Sequence, residues 1–169
     1  MNNEELKTND ALLDKLLISP RKGVHGLLYD EVLALVSQML TEFPDLLTKE
    51  SIGKTYEGRD IWMLKLDGTQ WLQNQGIESY ANKKALLMTG AHHCRELVSV
   101  QMGLYTLLDI LQGLLHNEPE YIDLIKRSQI FSIPIVNVDG SNKIMEEYNR
   151  TGQLILKRKN MDRSNEVAG

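Results

Sequence analysis

Apolar positions along the chain change spacing several times, and the changes mark out the elements. In "LLYDEVLALVSQMLTEFP", Leu28, Val32, Leu33, Leu35, Val36 and Leu40 recur near the helical period, and Pro44 closes the run. "KESIGKTYEGRDIWMLKLDG" switches to alternation. Limbs around 49–56 and 60–67, joined by the turn cluster "EGRD", predict a hairpin, with Trp62, Leu64 and Leu66 on one face. The polar stretch "TQWLQNQGIESYANK" reads as a connection. "KALLMTG" (84–90) is a short continuous apolar run ended by Gly90, which predicts a strand buried on both faces. "LVSVQMGLYTLLDILQGLLH" (97–116) predicts a long helix, with Val98, Met102, Leu107, Ile110, Leu111 and Leu114 as its buried stripe. Pro119 opens a second short helix, "PEYIDLIKRS", and "QIFSIPIVNVDG" (129–140) predicts another buried strand that stops at Asn137, Asp139 and Gly140. The remaining tail reads as charged and irregular. Residues 1–22 read as a loose, partly helical leader, which leaves 23–169 for the folded domain.

Strand, loop, helix, strand, loop is the alternation of an α/β fold. In open α/β sheets, ligands gather at the carboxyl ends of the strands. The two chemically rich stretches, 90–96 and 137–141, both lie just past a predicted strand end.

Composition narrows this picture little. The chain has 169 residues, enough for one domain, with 42% hydrophobic and 25% charged residues, as in ordinary globular proteins. A net charge of −4 lacks the basic excess that marks nucleic-acid binding. The N-terminus has no basic start followed by an apolar core, so no signal peptide is read there. No uninterrupted apolar run has the length of a membrane helix, so no membrane partner is expected. A single cysteine, Cys94, allows no internal disulfide.

The candidate chemistry sits in "TGAHHCREL" (89–97). Zinc takes His, Cys, Asp or Glu, and catalytic zinc has three protein ligands with one position open to water. His93 and Glu96 are three apart, a spacing that aims both side chains at one point in a loop entering a helix. His92 has Arg95 three places on, which cannot ligate, so its expected role is packing or orienting a neighbour. Cys94 reads as a small buried filler. A solvated helix start, with Glu96 near the positive helix end, remains an alternative on this stretch alone.

The surrounding segments resemble the zinc carboxypeptidases of the carboxypeptidase A type. "EFPDLL…SIGKTYEGRDIWMLKL" resembles that family's entry hairpin, and "MTGAHHCREL" its zinc loop. "IPIVNVDGS" resembles its NPDG strand end, with Val138 in place of the usual proline, and "LKRKN" (156–160) its WRKN segment. The matches come in the family's order, between about residues 28 and 163. The resemblance implies part of a mixed β-sheet with flanking helices, and Zn2+ as cofactor. It implies hydrolysis of C-terminal residues from peptides or proteins by a metal-activated water. Residue by residue, it implies that His93 and Glu96 are zinc ligands and that Arg95 contacts substrate. It implies that Arg158 polarises the scissile carbonyl and steadies the oxyanion. Asn137, Asp139 and Gly140 are expected to build the turn after the strand. Relatives of this kind are often secreted, so an extracellular location is the family expectation, although no signal peptide opens this chain.

The resemblance also implies pieces not found before Gly169: an Asn–Arg clamp for the substrate carboxylate, a histidine as third ligand, a capping tyrosine and a glutamate base. His25 and His116 do not stand in the third-ligand place. The expectation is therefore an N-terminal portion of a catalytic domain, weakly active or inactive by itself, with an unpaired sheet edge and an uncovered apolar face. A non-catalytic binding module keeping the fold is the alternative. A relative that deacylates small amino-acid conjugates is disfavoured by Arg95 and "KRKN".

Overall fold

The computed structural model describes residues 20–162; the leader expected at 1–22 lies almost wholly outside them. Helix α1 (Tyr29–Glu42) is followed by the strands β1 (Leu47–Lys54) and β2 (Asp60–Leu66) and a short helix α2 (Thr69–Asn74). Strand β3 (Lys84–Thr89), helices α3 (Leu97–Leu115) and α4 (Pro119–Arg127), strand β4 (Ser128–Ile133) and helix α5 (Val138–Thr151) complete the order. The strands form one mixed sheet in the order β1-β2-β4-β3. β1 and β2 pair antiparallel, with Leu47 opposite Leu66 and Ser51 opposite Trp62, and the register shifts between Ser51 and Lys54. β4 runs antiparallel to β2 and parallel to β3, with Leu86 opposite Ile130. The two parallel strands are joined by α3 and α4, the crossover that parallel pairing requires.

The hairpin forms where the alternation placed it. Leu64 and Leu66 are fully buried, and the limbs end within a residue or two of the predicted bounds. α1 buries Val32, Leu35, Val36 and Met39. The Glu31 carboxylate accepts the Leu28 N–H (2.8 Å) at the start of α1, satisfying an otherwise orphan donor next to the positive helix end. Leu104, Leu107, Leu108, Leu111 and Leu114 of α3 are fully buried and fill the space over the sheet. By length and composition α3 also passes as a membrane span, yet its apolar stripe lies within the core.

Five expectations need correction. The buried stripe of α3 does not include Val98 and Met102, which are 58% and 55% exposed. α3 is apolar on more than one face. The face that packs is set by Leu97, Val100, Leu104, Leu107, Leu108, Leu111 and Leu114, spaced three and four apart, and Val98 and Met102 stand on the other side. β3 is not buried on both faces. It lies at the sheet edge, and Leu86 and Leu87 are 51% and 60% exposed. An apolar strand run reports only that both faces are apolar, not that both are covered. The expected unpaired edge with exposed apolar residues is found at this strand: among the described residues β3 pairs with β4 alone.

The polar connection contains α2, whose Leu72 is fully buried. The Asp67 carboxylate accepts both the Thr69 N–H (3.1 Å) and the Thr69 hydroxyl (2.7 Å) and so starts its first turn. The second buried strand stops at Ile133, not at 140, because Pro134 cannot continue the ladder. The tail is not irregular throughout: 138–151 is α5, which buries Val138 and Ile144 and ends at Gly152 in the left-handed region (φ +70°).

Candidate metal centre

The two chemically rich stretches meet because backbone bonds stitch their loops together. The Gly90 N–H donates to the Ile133 carbonyl (2.9 Å), Val136 N–H to the Gly90 carbonyl (3.0 Å) and Asn137 N–H to the Ala91 carbonyl (3.0 Å). The loops leaving β3 and β4 thus run side by side past the carboxyl edge of the sheet, where open α/β folds place their ligands. Ala91 between them has φ +44°, an uncommon conformation for a residue with a side chain; its N–H donates to Ser99 Oγ (2.9 Å), whose hydroxyl donates to the Glu96 carbonyl (2.7 Å).

A turn follows, closed by the Glu96 N–H on the His93 carbonyl (3.0 Å). It brings His93 Nδ1 to 2.8 Å from Glu96 Oε1, so the three-residue spacing does converge two donor atoms. His92 turns the other way, with Nε2 at 2.9 Å from Thr89 Oγ1, and does not join the pair. Arg95 is exposed on the same loop.

Beside this loop lies an open cleft of about 470 Å³, lined by His92 and His93 from one side, by Thr55, Tyr56 and Ile61 of the hairpin from another, and by Val136–Asp139 from the floor. Arg158 and Lys159, followed by Asn160, Met161 and Asp162, form the remaining side. The structure therefore brings Arg158 to the cleft that His93 lines, although 65 positions separate them in the chain. Arg95 and Glu96 are not among the described residues that line it.

Asn137 and Asp139 line the floor, and Gly140 follows them in the first turn of α5. The Asn137 side chain accepts the Gly140 N–H (3.1 Å) and caps α5. Asp139 is almost fully buried, and three donors converge on its carboxylate: Thr55 Oγ1 (2.7 Å), the Glu57 N–H (3.0 Å) and the Arg59 guanidinium (2.9 Å). Burial alone would raise its pKa, but the Thr55, Glu57 and Arg59 hydrogen bonds outweigh it and hold the carboxyl below the usual range. The start of α5 is thereby pinned to the turn between β1 and β2. Gly140 tolerates no larger residue without rearrangement: an added Cβ would come within 2.6 Å of Cys94 Sγ and 2.7 Å of Asn137 Oδ1.

Cys94 is fully buried, as a filler would be, but it also donates toward the segment that carries Arg158, with Sγ 3.2 Å from the Lys157 carbonyl. Burial pushes its thiol pKa up, so it stays protonated. These contacts, and those of Asp139 with the hairpin, had no local signal in the sequence, because their partners lie more than sixty positions away.

Imidazole nitrogen and carboxylate oxygen are the donor types zinc accepts, and the facing His93 Nδ1 and Glu96 Oε1 suit two positions of a His₂Glu set. Among the described residues no group of three His, Cys, Asp or Glu gathers to complete one. His25 is exposed and His116 sits beyond the far end of α3, which at 1.5 Å per residue is about 28 Å from Glu96.

Comparison with known proteins supplies the family. A family model described as zinc carboxypeptidase matches residues 32–168. A zinc carboxypeptidase of Saccharothrix mutabilis subsp. capreolus is 34% identical over 118 residues, which is 70% of this chain and 25% of the relative. An inactive metallocarboxypeptidase of Saccharomyces cerevisiae is 33% identical over 100 residues, 58% of this chain and 21% of the relative. Among solved structures, the carboxypeptidase A of Helicoverpa armigera superposes with a TM-score of 0.60 at 27% identity, over 97% of this chain and 37% of that one. The chain thus spans about a quarter of the length of the curated relatives it matches. With a family model covering most of the sequence, and the fold and strand-end loops in agreement, the chain belongs to the zinc carboxypeptidase family.

Proposed function

We propose that this chain carries part of the machinery of a zinc metallocarboxypeptidase acting on peptide or protein C-termini. His93 and Glu96 would hold the metal through Nδ1 and Oε1. A bound zinc ion would lower the pKa of a water molecule and polarise the scissile carbonyl. Arg158, at the rim of the cleft, would donate to the oxygen on which negative charge develops, where fixed positive charge is worth most. Arg95 would contact the substrate; a guanidinium grips carboxylate or carbonyl oxygens in a fixed fork. The single observation that carries this reading is the 2.8 Å convergence of His93 and Glu96 beside the cleft that Arg158 borders.

With only two candidate ligands gathered among the described residues, the isolated chain is expected to bind zinc weakly and to hydrolyse peptides slowly or not at all. Metal analysis and release of the C-terminal residue from a peptide, with Glu96→Ala as control, test this. Sub-micromolar zinc affinity with steady hydrolysis would overturn the two-ligand reading, and zinc uptake indifferent to Glu96→Ala would overturn the ligand assignment. A non-catalytic module on the same fold is the second reading, favoured by the relative described as inactive. The retained His93, Arg95, Glu96 and Arg158 favour the first.

A further inference from the structure

Arg158 is exposed, on a segment without regular structure, yet the proposed chemistry needs its guanidinium at a fixed place beside His93. What the segment does have is a set of backbone anchors. Its carbonyls face one buried point. Cys94 Sγ lies 3.2 Å from the Lys157 carbonyl, 3.7 Å from that of Arg158 and 3.8 Å from that of Lys159. The Asn137 side-chain amide adds a second tether, at 3.4 Å from the Arg158 carbonyl and 3.5 Å from the His92 carbonyl. Asn137 therefore touches both the loop of the candidate ligands and the segment of the arginine. Gly140 lets the three come together, because any side chain there would strike both Cys94 Sγ and Asn137 Oδ1.

We infer that Cys94 and Asn137 are positioning residues, which fix the Arg158 segment against the loop of His93 and Glu96 by holding its carbonyls. The inference rests on the proposed role of Arg158. It gives Cys94 a task beyond filling space: a thiol is small enough to sit against Gly140, and its one proton can be directed to the Lys157 carbonyl, the nearest of the three. Neither residue need touch substrate. Their effect passes through the place they give Arg158.

The held carbonyls belong to three consecutive trypsin sites, after Lys157, Arg158 and Lys159, so limited trypsin digestion of the full chain reads the tether directly. Cleavage requires the segment to leave its anchors. A thiol is a weak donor, so losing its hydrogen bond should raise the open fraction, and the cleavage rate after these residues, about twofold in Cys94→Ala. Cys94→Ser keeps a donor and should restore the slow rate. Cleavage after Lys65 and Arg127, remote from the tether, should stay unchanged in both variants. If Cys94→Ala does not fold, wild-type protein and Asn137→Asp, which keeps the oxygen that caps α5 and loses the amide donor, are compared by maleimide labelling of Cys94. Labelling should be faster in Asn137→Asp, because the segment covering the thiol has lost its second anchor. The inference is overturned if Cys94→Ala leaves the rates at 157–159 unchanged, if serine fails to restore them, or if cleavage after Lys65 and Arg127 rises in step. It is overturned equally if labelling does not respond to Asn137→Asp. No zinc enters either assay. A chain that fails here keeps its metal reading, and a chain that passes here but takes no zinc at His93 and Glu96 loses only the metal reading.

Discussion

Replacing Asp139 with alanine removes a buried carboxylate that accepts from Thr55, the Glu57 N–H and Arg59. Breaking a buried ion pair by deleting one partner usually costs about 3–5 kcal/mol, because the other charge is left uncompensated. Here the cost should be smaller. Arg59 is 29% exposed and keeps a second, short contact to the Glu57 carboxylate, so it is not stranded. The Thr55 hydroxyl can turn and still accepts the Arg59 N–H (3.0 Å). That leaves the Glu57 N–H as the donor most completely orphaned, with the Thr55 and Arg59 bonds to the carboxylate lost but their donors partly repartnered, for a loss of about 2–3 kcal/mol. Urea denaturation reads it: with a slope of about 1.5 kcal/mol/M, the midpoint should fall by more than ~1 M at unchanged slope.

The pH dependence follows from the same contacts. The folded carboxyl titrates below its ordinary value of 3.8, so its contribution is complete above that value, shrinks as pH falls below it, and is gone beneath the folded pKa. The gap between wild type and Asp139→Ala should therefore be constant from neutral pH down to about 4 and close only below. A double-mutant cycle with Arg59→Ala should show coupling of about 1 kcal/mol or more. A loss under about 0.5 kcal/mol, strict additivity with Arg59→Ala, or a gap that closes near neutrality would refute the account of how α5 is pinned to the hairpin.

Three further outcomes follow from packing. Leu111→Ala, at a fully buried position of α3, should cost about 2–5 kcal/mol in denaturant unfolding; a loss below ~1 kcal/mol would mean that α3 does not carry the core. Gly152→Ala places a side chain at φ +70° after α5 and should cost about 1 kcal/mol by thermal or chemical unfolding, whereas a stabilised variant would show that this cap is not left-handed. Leu87→Lys, on the exposed edge strand, should change stability by less than about 0.5 kcal/mol while lowering light scattering at high concentration; a large destabilisation would mean that the β3 face is covered.

The parts of the fold legible in the sequence were those with strong local periodicity. Alternation through Trp62, Leu64 and Leu66 placed the hairpin's second limb and its shared face, and the run after Glu96 marked the length of α3. Burial was less legible. Nothing in "KALLMT" says whether a neighbour covers it, and nothing local separates Val98 and Met102 from the leucines that pack. α2 and α5 were hidden because short or polar helices are fixed by caps and distant partners: Asp67 on Thr69, Asn137 on Gly140, Asp139 on Arg59. The candidate site divides the same way. The pairing of His93 with Glu96 is a matter of three-residue spacing and could be read directly. The approach of Arg158 came from resemblance, since no local pattern places a residue 65 positions away. The tether through Cys94 was invisible, because it depends on backbone carbonyls whose positions no side-chain pattern encodes.

The central claim is that the imidazole of His93 and the carboxylate of Glu96 share one cation. Competitive zinc titration of the purified chain, beside His93→Ala, Glu96→Ala and His116→Ala, tests it most directly. One weakly held zinc per chain is expected, with affinity lowered in both His93→Ala and Glu96→Ala and unchanged in His116→Ala. Equal zinc binding by wild type and His93→Ala, or loss of binding only with His116→Ala, would contradict it.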